Sequence, residues 1–182
     1  MIGWILIGLA VLVIGTFIYY YNKFIVLGNR IENSLAQIDV QLKKRADLVP
    51  ALVKVVKGYA KHEKDIFDKI TKARTDLVRG KNVAEKVKAG DVLQRFLGKL
   101  FAIAESNPEL KANQNFLHLQ TELSAIEDKV AYARQYYNDG VLFFENASER
   151  FPGVFFFKLY GREKKDYLKI PEANKEMPEI DI

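Results

Sequence analysis

A chain of 182 residues has room for one ordinary domain and an anchor, and too little for two enzyme-sized domains. It carries 28 Lys+Arg against 23 Asp+Glu, distributed unevenly: Lys23 to Leu100 holds 18 basic and 9 acidic residues, and the remainder from Phe101 holds 10 and 14. There is no cysteine, which excludes disulfides, thiolate catalysis and a lipoprotein anchor built on a cleavage-site cysteine. The basic half could face anionic lipid, nucleic acid or the chain's own acidic half. Antiparallel packing of helices from the two halves satisfies the charges at least cost.

Ile2 to Tyr21 is a run of 20 residues without a charge. As a helix it spans roughly 30 Å, the thickness of a hydrocarbon core. Trp4 stands near one end and Tyr19, Tyr20 and Tyr21 at the other, where aromatic rings suit the two headgroup layers. A cleaved signal peptide is disfavoured: no Lys or Arg precedes the run, and it ends in bulky aromatics where a cleavage site needs small residues. A buried core helix is disfavoured by 20 uncharged residues in succession. Residues 1–22 are therefore expected to be a single-pass anchor in the cell membrane, in contact with lipid. Lys23, Arg30, Lys43, Lys44 and Arg45 all follow it, so the positive-inside rule favours a cytoplasmic soluble domain.

Beyond the anchor, Phe24, Leu27, Ile31, Leu35, Ile38 and Leu42 recur at steps of 3 and 4, one stripe of a helix continuing out of the membrane. Pro50, with Asp47 three residues earlier as a cap, predicts a kink or short break. The pattern resumes through Leu52, Val56, Tyr59, Ile66, Ile70, Ala73 and Leu77, with Glu63 the polar intrusion, and turns at Gly80 and Asn82. A shorter helix is predicted over 83–105, divided if anywhere at Gly90-Asp91, and ended by Ser106-Asn107-Pro108. The last helix, 113–150, has the most regular pattern: Phe116, Leu119, Leu123, Ile126, Val130, Ala133, Tyr137, Gly140, Phe144, Ala147 and Phe151 form a heptad seam. Ile126 and Val130 are expected inside, and Glu127, Lys129 and Arg134 on the outward surface. Pro152 stops the helix. One long helix cannot bury its seam alone, so residues 23–160 are expected to form an antiparallel three- to four-helix bundle of coiled-coil character. The fold class is all-α, an N-terminal transmembrane helix followed by this bundle.

Phe155, Phe156, Phe157, Leu159 and Tyr160 are too apolar for a free tail. A flap over the bundle end is preferred to a membrane contact or partner patch. Residues 161–182 are expected to be a tail, disordered in part.

Little points to chemistry. His62-Glu63 does not begin a metalloprotease motif, because position 66 is Ile. His118 and Glu122 share a helix face, but two ligands fall short of the three or four that zinc requires. Asp39 and Asp47, and Glu127 and Asp128, are not spaced as tuned carboxylate pairs. No nucleophile elbow or phosphate loop occurs. Lys43-Lys44-Arg45 reads as a solvated helix face, and without stacking aromatics nearby it is no nucleic-acid site. No catalytic, cofactor-binding or metal-binding residue is singled out, and no cofactor or small-molecule substrate is expected.

Two blocks, Tyr21 to Glu63 and Asn107 to Asp139 followed by Phe151-Pro152, carry a resemblance. With the strings AQIDVQL (36–42), DLVP (47–50) and LKAN (110–113), the chain resembles the LemA family of bacterial membrane proteins from the anchor to about Tyr160. It departs at Leu35, where an aromatic is common, at Ala46, where a histidine is common, and at Glu145, where an asparagine is expected. The resemblance implies a membrane-anchored helical domain and carries over neither an enzyme activity nor catalytic residues. The function expected is a non-enzymatic scaffold or adaptor, binding an envelope or membrane protein or itself. The alternatives are an enzyme with a polar site between helices, marked by a buried polar cluster, and a membrane-surface remodelling protein using the basic stalk and aromatic tail.

Overall fold

The computed structural model describes residues 1–60 and 62–168. These form six helices and, among the described residues, no strand: α1 (Ile2–Lys57), α2 (Lys64–Arg79), α3 (Val83–Glu105), α4 (Pro108–Lys111), α5 (Gln114–Glu149) and α6 (Gly153–Leu159). The fold is the all-α bundle that the periodicity predicts. Two compact units are distinguished, Met1–Ser34 with Gln135–Leu168 and, among the described residues, Leu35–Arg134.

In the unit Leu35–Arg134, five helices contribute, α1 and α5 in part and α2, α3 and the short α4 whole. α1 meets α5 antiparallel, with Arg45 against Glu127 and Tyr59 against Asn113. α3 meets α5 antiparallel as well, through Asp91–Arg134 and Phe101–Phe116. Ile38, Leu42, Val49, Leu52, Ile70, Leu77, Leu93, Leu97, Leu100 and Val130 fill the centre. Gly90 lies where α3 approaches α1: a Cβ there would stand 2.8 Å from Leu42 Cδ2. Asparagines set the starts of three helices. Asn82 accepts from the Glu85 amide, Asn107 from those of Glu109 and Leu110, and Asn113 from that of Phe116.

The break expected at Pro50 is absent. α1 passes through Pro50 and ends at Lys57, before Gly58. A proline inside a helix removes the amide that would bond the carbonyl four residues back. That carbonyl belongs to Ala46, which is fully buried, and it accepts a hydrogen bond from Arg74 Nε of α2 at 2.7 Å. A side chain from a neighbouring helix thus substitutes for the missing amide. α1 ends before Gly58 and α2 begins at Lys64, so Glu63 lies at the N-cap of α2 and not within a stripe. Gly90-Asp91 does not divide α3, which is continuous.

In the unit Met1–Ser34 with Gln135–Leu168, α1 and α5 are again antiparallel. Phe24 packs edge-on against Phe144 at 5.7 Å, and Ile31 lies on Gly140, where a Cβ would come within 3.1 Å of its Cγ1. The seam of α5 is buried from Phe116 to Ala147 except for half-buried Leu119, with Val141 added. Phe151, placed on the seam by its spacing, is 80% exposed, because α5 ends at Glu149 and the chain turns at Pro152. Ile2 to Val13 is exposed throughout, so this segment is not the covered core helix of a soluble protein. It is long and apolar enough to cross a membrane.

Of the expected tail, residues 161–168 are described, and they bond to α5. Tyr137 Oη donates to the Asp166 carbonyl at 2.7 Å, Asn138 brackets the backbone of Leu168 with two bonds of 3.0 Å, and Tyr167 Oη donates to Glu145 at 2.7 Å. Glu145, a departure from the family's strings, therefore has a partner on the same chain. The disorder expected further along falls on 169–182, outside the described residues.

Candidate functional site

The interior of the unit Leu35–Arg134 contains charge. Arg45, expected on a solvated basic face, is 1% exposed, and Arg134, expected on the outward surface, is 6% exposed. Both corrections have one cause. Arg45 lies between Leu42 and Val49 on the continued stripe of α1, and Arg134, next to the seam residue Ala133, widens the buried stripe of α5 as Val141 does next to Gly140, so the two arginines occupy core positions.

Desolvating a guanidinium is costly unless it is paired. Arg45 Nη2 donates to Glu127 Oε2, and its Nη1 reaches the Gly90 carbonyl at 3.5 Å. Arg134 Nη2 donates to Asp91 Oδ1. Glu127, expected to point outward beside Lys129, is thus turned to Arg45, with its side chain 31% exposed. Asp91 is 32% exposed. Two cations and two carboxylates cancel in charge. Burial pulls the Arg45 pKa below its ordinary value; the charge of Glu127 opposes this, and Arg134 adds to it. Among the described residues, the Nε atoms of Arg45 and Arg134 and Gln41 Oε1 have no hydrogen-bond partner.

A cleft of about 370 Å³ in the same unit is lined by Asp39, Lys43, Asp47, Arg74, Leu77 and Lys86 among others, and by none of the four charged residues of the cluster. Lys86 Nζ donates to Asp39 at 2.6 Å across it. A second, shallower hollow is lined by Gln41, Lys44, Asp47, Glu122 and Lys129 among others. His118 and Glu122 are 3.9 Å apart on an exposed face. Among the described residues no group of three or more His, Cys, Asp or Glu is placed to hold a metal ion.

The buried polar cluster that would mark an enzyme is therefore present, but its chemistry is conservative. Arginine does not surrender its proton near neutrality, so neither guanidinium can serve as a general base. Each carboxylate is held by its arginine. What such paired charges do best is fix which faces of α1, α3 and α5 meet, since a slipped register would strand a guanidinium in the core. Sequence reasoning missed this cluster, although Arg45, three residues past Leu42 on the α1 stripe, carries a signal.

A helical bundle whose interior charges are paired, following a helix of membrane-spanning length and apolarity, defines a class of membrane-associated helical proteins. Within it, the chain belongs to the LemA family, whose sequence model matches residues 34–182. It is similar to Magnetosome protein MamQ 2 of Paramagnetospirillum magneticum, at 22% identity over 182 positions, covering 86% of this chain and 67% of the relative. Magnetosome protein MamQ of Magnetospirillum gryphiswaldense is 22% identical, covering 85% and 66%. Protein LemA of Metamycoplasma hominis is 27% identical over 133 positions, covering 70% and 61%. The chain thus spans between 61% and 67% of the length of these relatives.

Proposed function

We propose that this protein is a membrane-anchored scaffold. In this reading its helical domain lies in the cytoplasm, holds another membrane or envelope protein or a second copy of itself, and catalyses no reaction. The carrying observation is the outer face of α5. Tyr136 and Phe143, one heptad apart and away from the buried seam, are 72% and 57% exposed. Large aromatics left in water on a regular helix face suit a protein contact. Relatives named as proteins of a magnetosome support a role as part of a structure. The basic residues that follow the anchor support the cytoplasmic placement.

The test is the native-gel migration of the full chain extracted in mild detergent. The parent should run as an assembly larger than one chain, and Tyr136→Ser with Phe143→Ser should release the monomer while keeping its helical spectrum. A parent that already migrates as a monomer overturns the reading. For orientation, a reporter active only outside the membrane and fused after Ile182 should be silent.

A further inference from the structure

α6 is too short to be stable alone, and its sequence, GVFFFKL, is mostly apolar. Part of that surface is used. Phe156 stacks on Tyr20 at 5.1 Å and meets Phe17 at 6.1 Å, and Phe157 packs on Phe24 and Phe144 at 5.7 and 5.8 Å. Tyr160 Oη donates to the Phe17 carbonyl at 2.8 Å, and its ring meets Tyr21 at 5.5 Å and Phe24 at 6.2 Å. The rest is in the open: Phe155 is 66% exposed, Leu159 67% and Phe151, against Phe155, 80%.

These contacts fix the depth and direction of α6 within its unit. Gly153, at its start, lies on Tyr20; Tyr160, just past its end, lies on Phe17, Tyr21 and Phe24. Adjacent Phe156 and Phe157, about 1.5 Å apart along α6, meet Phe17 and Phe24, which stand two turns apart along α1, so α6 crosses α1 and does not run along it. Those turns are the last of the apolar run, where Tyr19 to Tyr21 match a headgroup layer. Going round α6 at about 100° per residue, Phe156 faces the Phe17 side and Phe157, about 100° further, faces the Phe24 side. Phe155 and Leu159 lie on the other side of Phe156 from Phe157, at about −100° and −60°. Both are thus directed toward the Phe17 side, the hydrocarbon, and away from the side that continues into water.

We propose that α6 is a second membrane contact, lying in the plane of the headgroup layer beside the anchor with Phe151, Phe155 and Leu159 entering the lipid. Continuity with the anchor selects lipid as the occupant, because the open face begins where the spanning segment ends. Exposed Lys158 on α6, and Lys23 on α1 two residues past Tyr21, supply cations for anionic headgroups. The helix then does two things: its inner face closes the aromatic cluster on Phe24, and its outer face fixes the unit against the bilayer surface. This inference rests on the anchor crossing a membrane and is independent of the scaffold reading.

The absence of cysteine makes the test direct. Single variants Val11→Cys, Asp139→Cys, Phe155→Cys and Leu159→Cys of the full chain are spin-labelled in vesicles of phosphatidylcholine and phosphatidylglycerol. All four positions are exposed, so the fold should tolerate the label. Collision with oxygen, which partitions into lipid, is compared with collision with a water-soluble nickel chelate. The oxygen-to-nickel ratio should be several-fold higher at 155 and 159 than at 139, approaching that at 11. A ratio at 155 and 159 equal to that at 139 overturns the proposal while a high ratio at 11 keeps the anchor. Labels shielded from both reagents and broadened by spin–spin contact would place a second copy on the face, and also overturn it. A water-like ratio at 11 removes the anchor and the inference together.

Discussion

Arg74→Ala isolates the interaction that carries α1 through Pro50. The substitution leaves the Ala46 carbonyl, fully buried and denied an amide by Pro50, without its donor at 2.7 Å. A buried acceptor left unsatisfied costs about 1–3 kcal/mol. For a chain of this size that lowers the melting temperature by about 2–4 °C per kcal/mol, so a loss of about 2 kcal/mol shifts it by roughly 4–8 °C. Pro50→Ala restores an amide at the position that bonds Ala46. In the Pro50→Ala background Arg74→Ala should therefore cost less, by an interaction energy within about 0.5–3 kcal/mol. Circular dichroism melts of the four proteins in detergent close the cycle. Equal costs of Arg74→Ala in the two backgrounds would refute the substitution of a side-chain donor for the missing amide.

The buried ion pairs should respond asymmetrically. Glu127→Gln strands a 1% exposed guanidinium and should cost about 3–5 kcal/mol, whereas Arg45→Met leaves a carboxylate that water can reach and should cost about 1–3 kcal/mol, both read by chemical denaturation. Ile126→Ala should cost about 2–5 kcal/mol and Lys129→Ala, on the exposed face, within about 0.5 kcal/mol, and equal melting shifts would contradict the register. The Tyr137 phenol is pushed above its ordinary pKa by burial and then by Asp166. Its folded value exceeds its unfolded one, so its contribution is present below about pH 10 and lost as the pH rises through the raised value. Tyr137→Phe should therefore flatten the alkaline fall in melting temperature.

The helices were legible where a single physical signal dominates. The span predicted over 83–105 is the observed α3, and α5 begins and ends within one residue of the predicted 113–150, because capping asparagines and prolines mark those ends locally. Pro50 misled because local chemistry predicts a break, while the compensating donor, Arg74, is 24 residues away and on another helix. Charge alone places Arg45 and Arg134 on the surface; the position of Arg45 on the α1 stripe points inward, whereas that of Arg134 beside Ala133 does not, and only packing shows that Glu127 and Asp91 are there to receive them. The aromatic run after Pro152 was legible as a cover and not as a two-faced helix, since which of five apolar residues turns toward α1 depends on the angle at which α6 crosses it.

The scaffold reading is tested most directly in the native membrane. A photo-reactive phenylalanine analogue placed at Phe143, 57% exposed on the outer face of α5, should on illumination give one discrete adduct, to a single partner protein or to a second copy of the chain. The same analogue at Ile126, 7% exposed, should give none. A ladder of unrelated adducts from Phe143, or none beyond the Ile126 background, would contradict a scaffold that works through this surface.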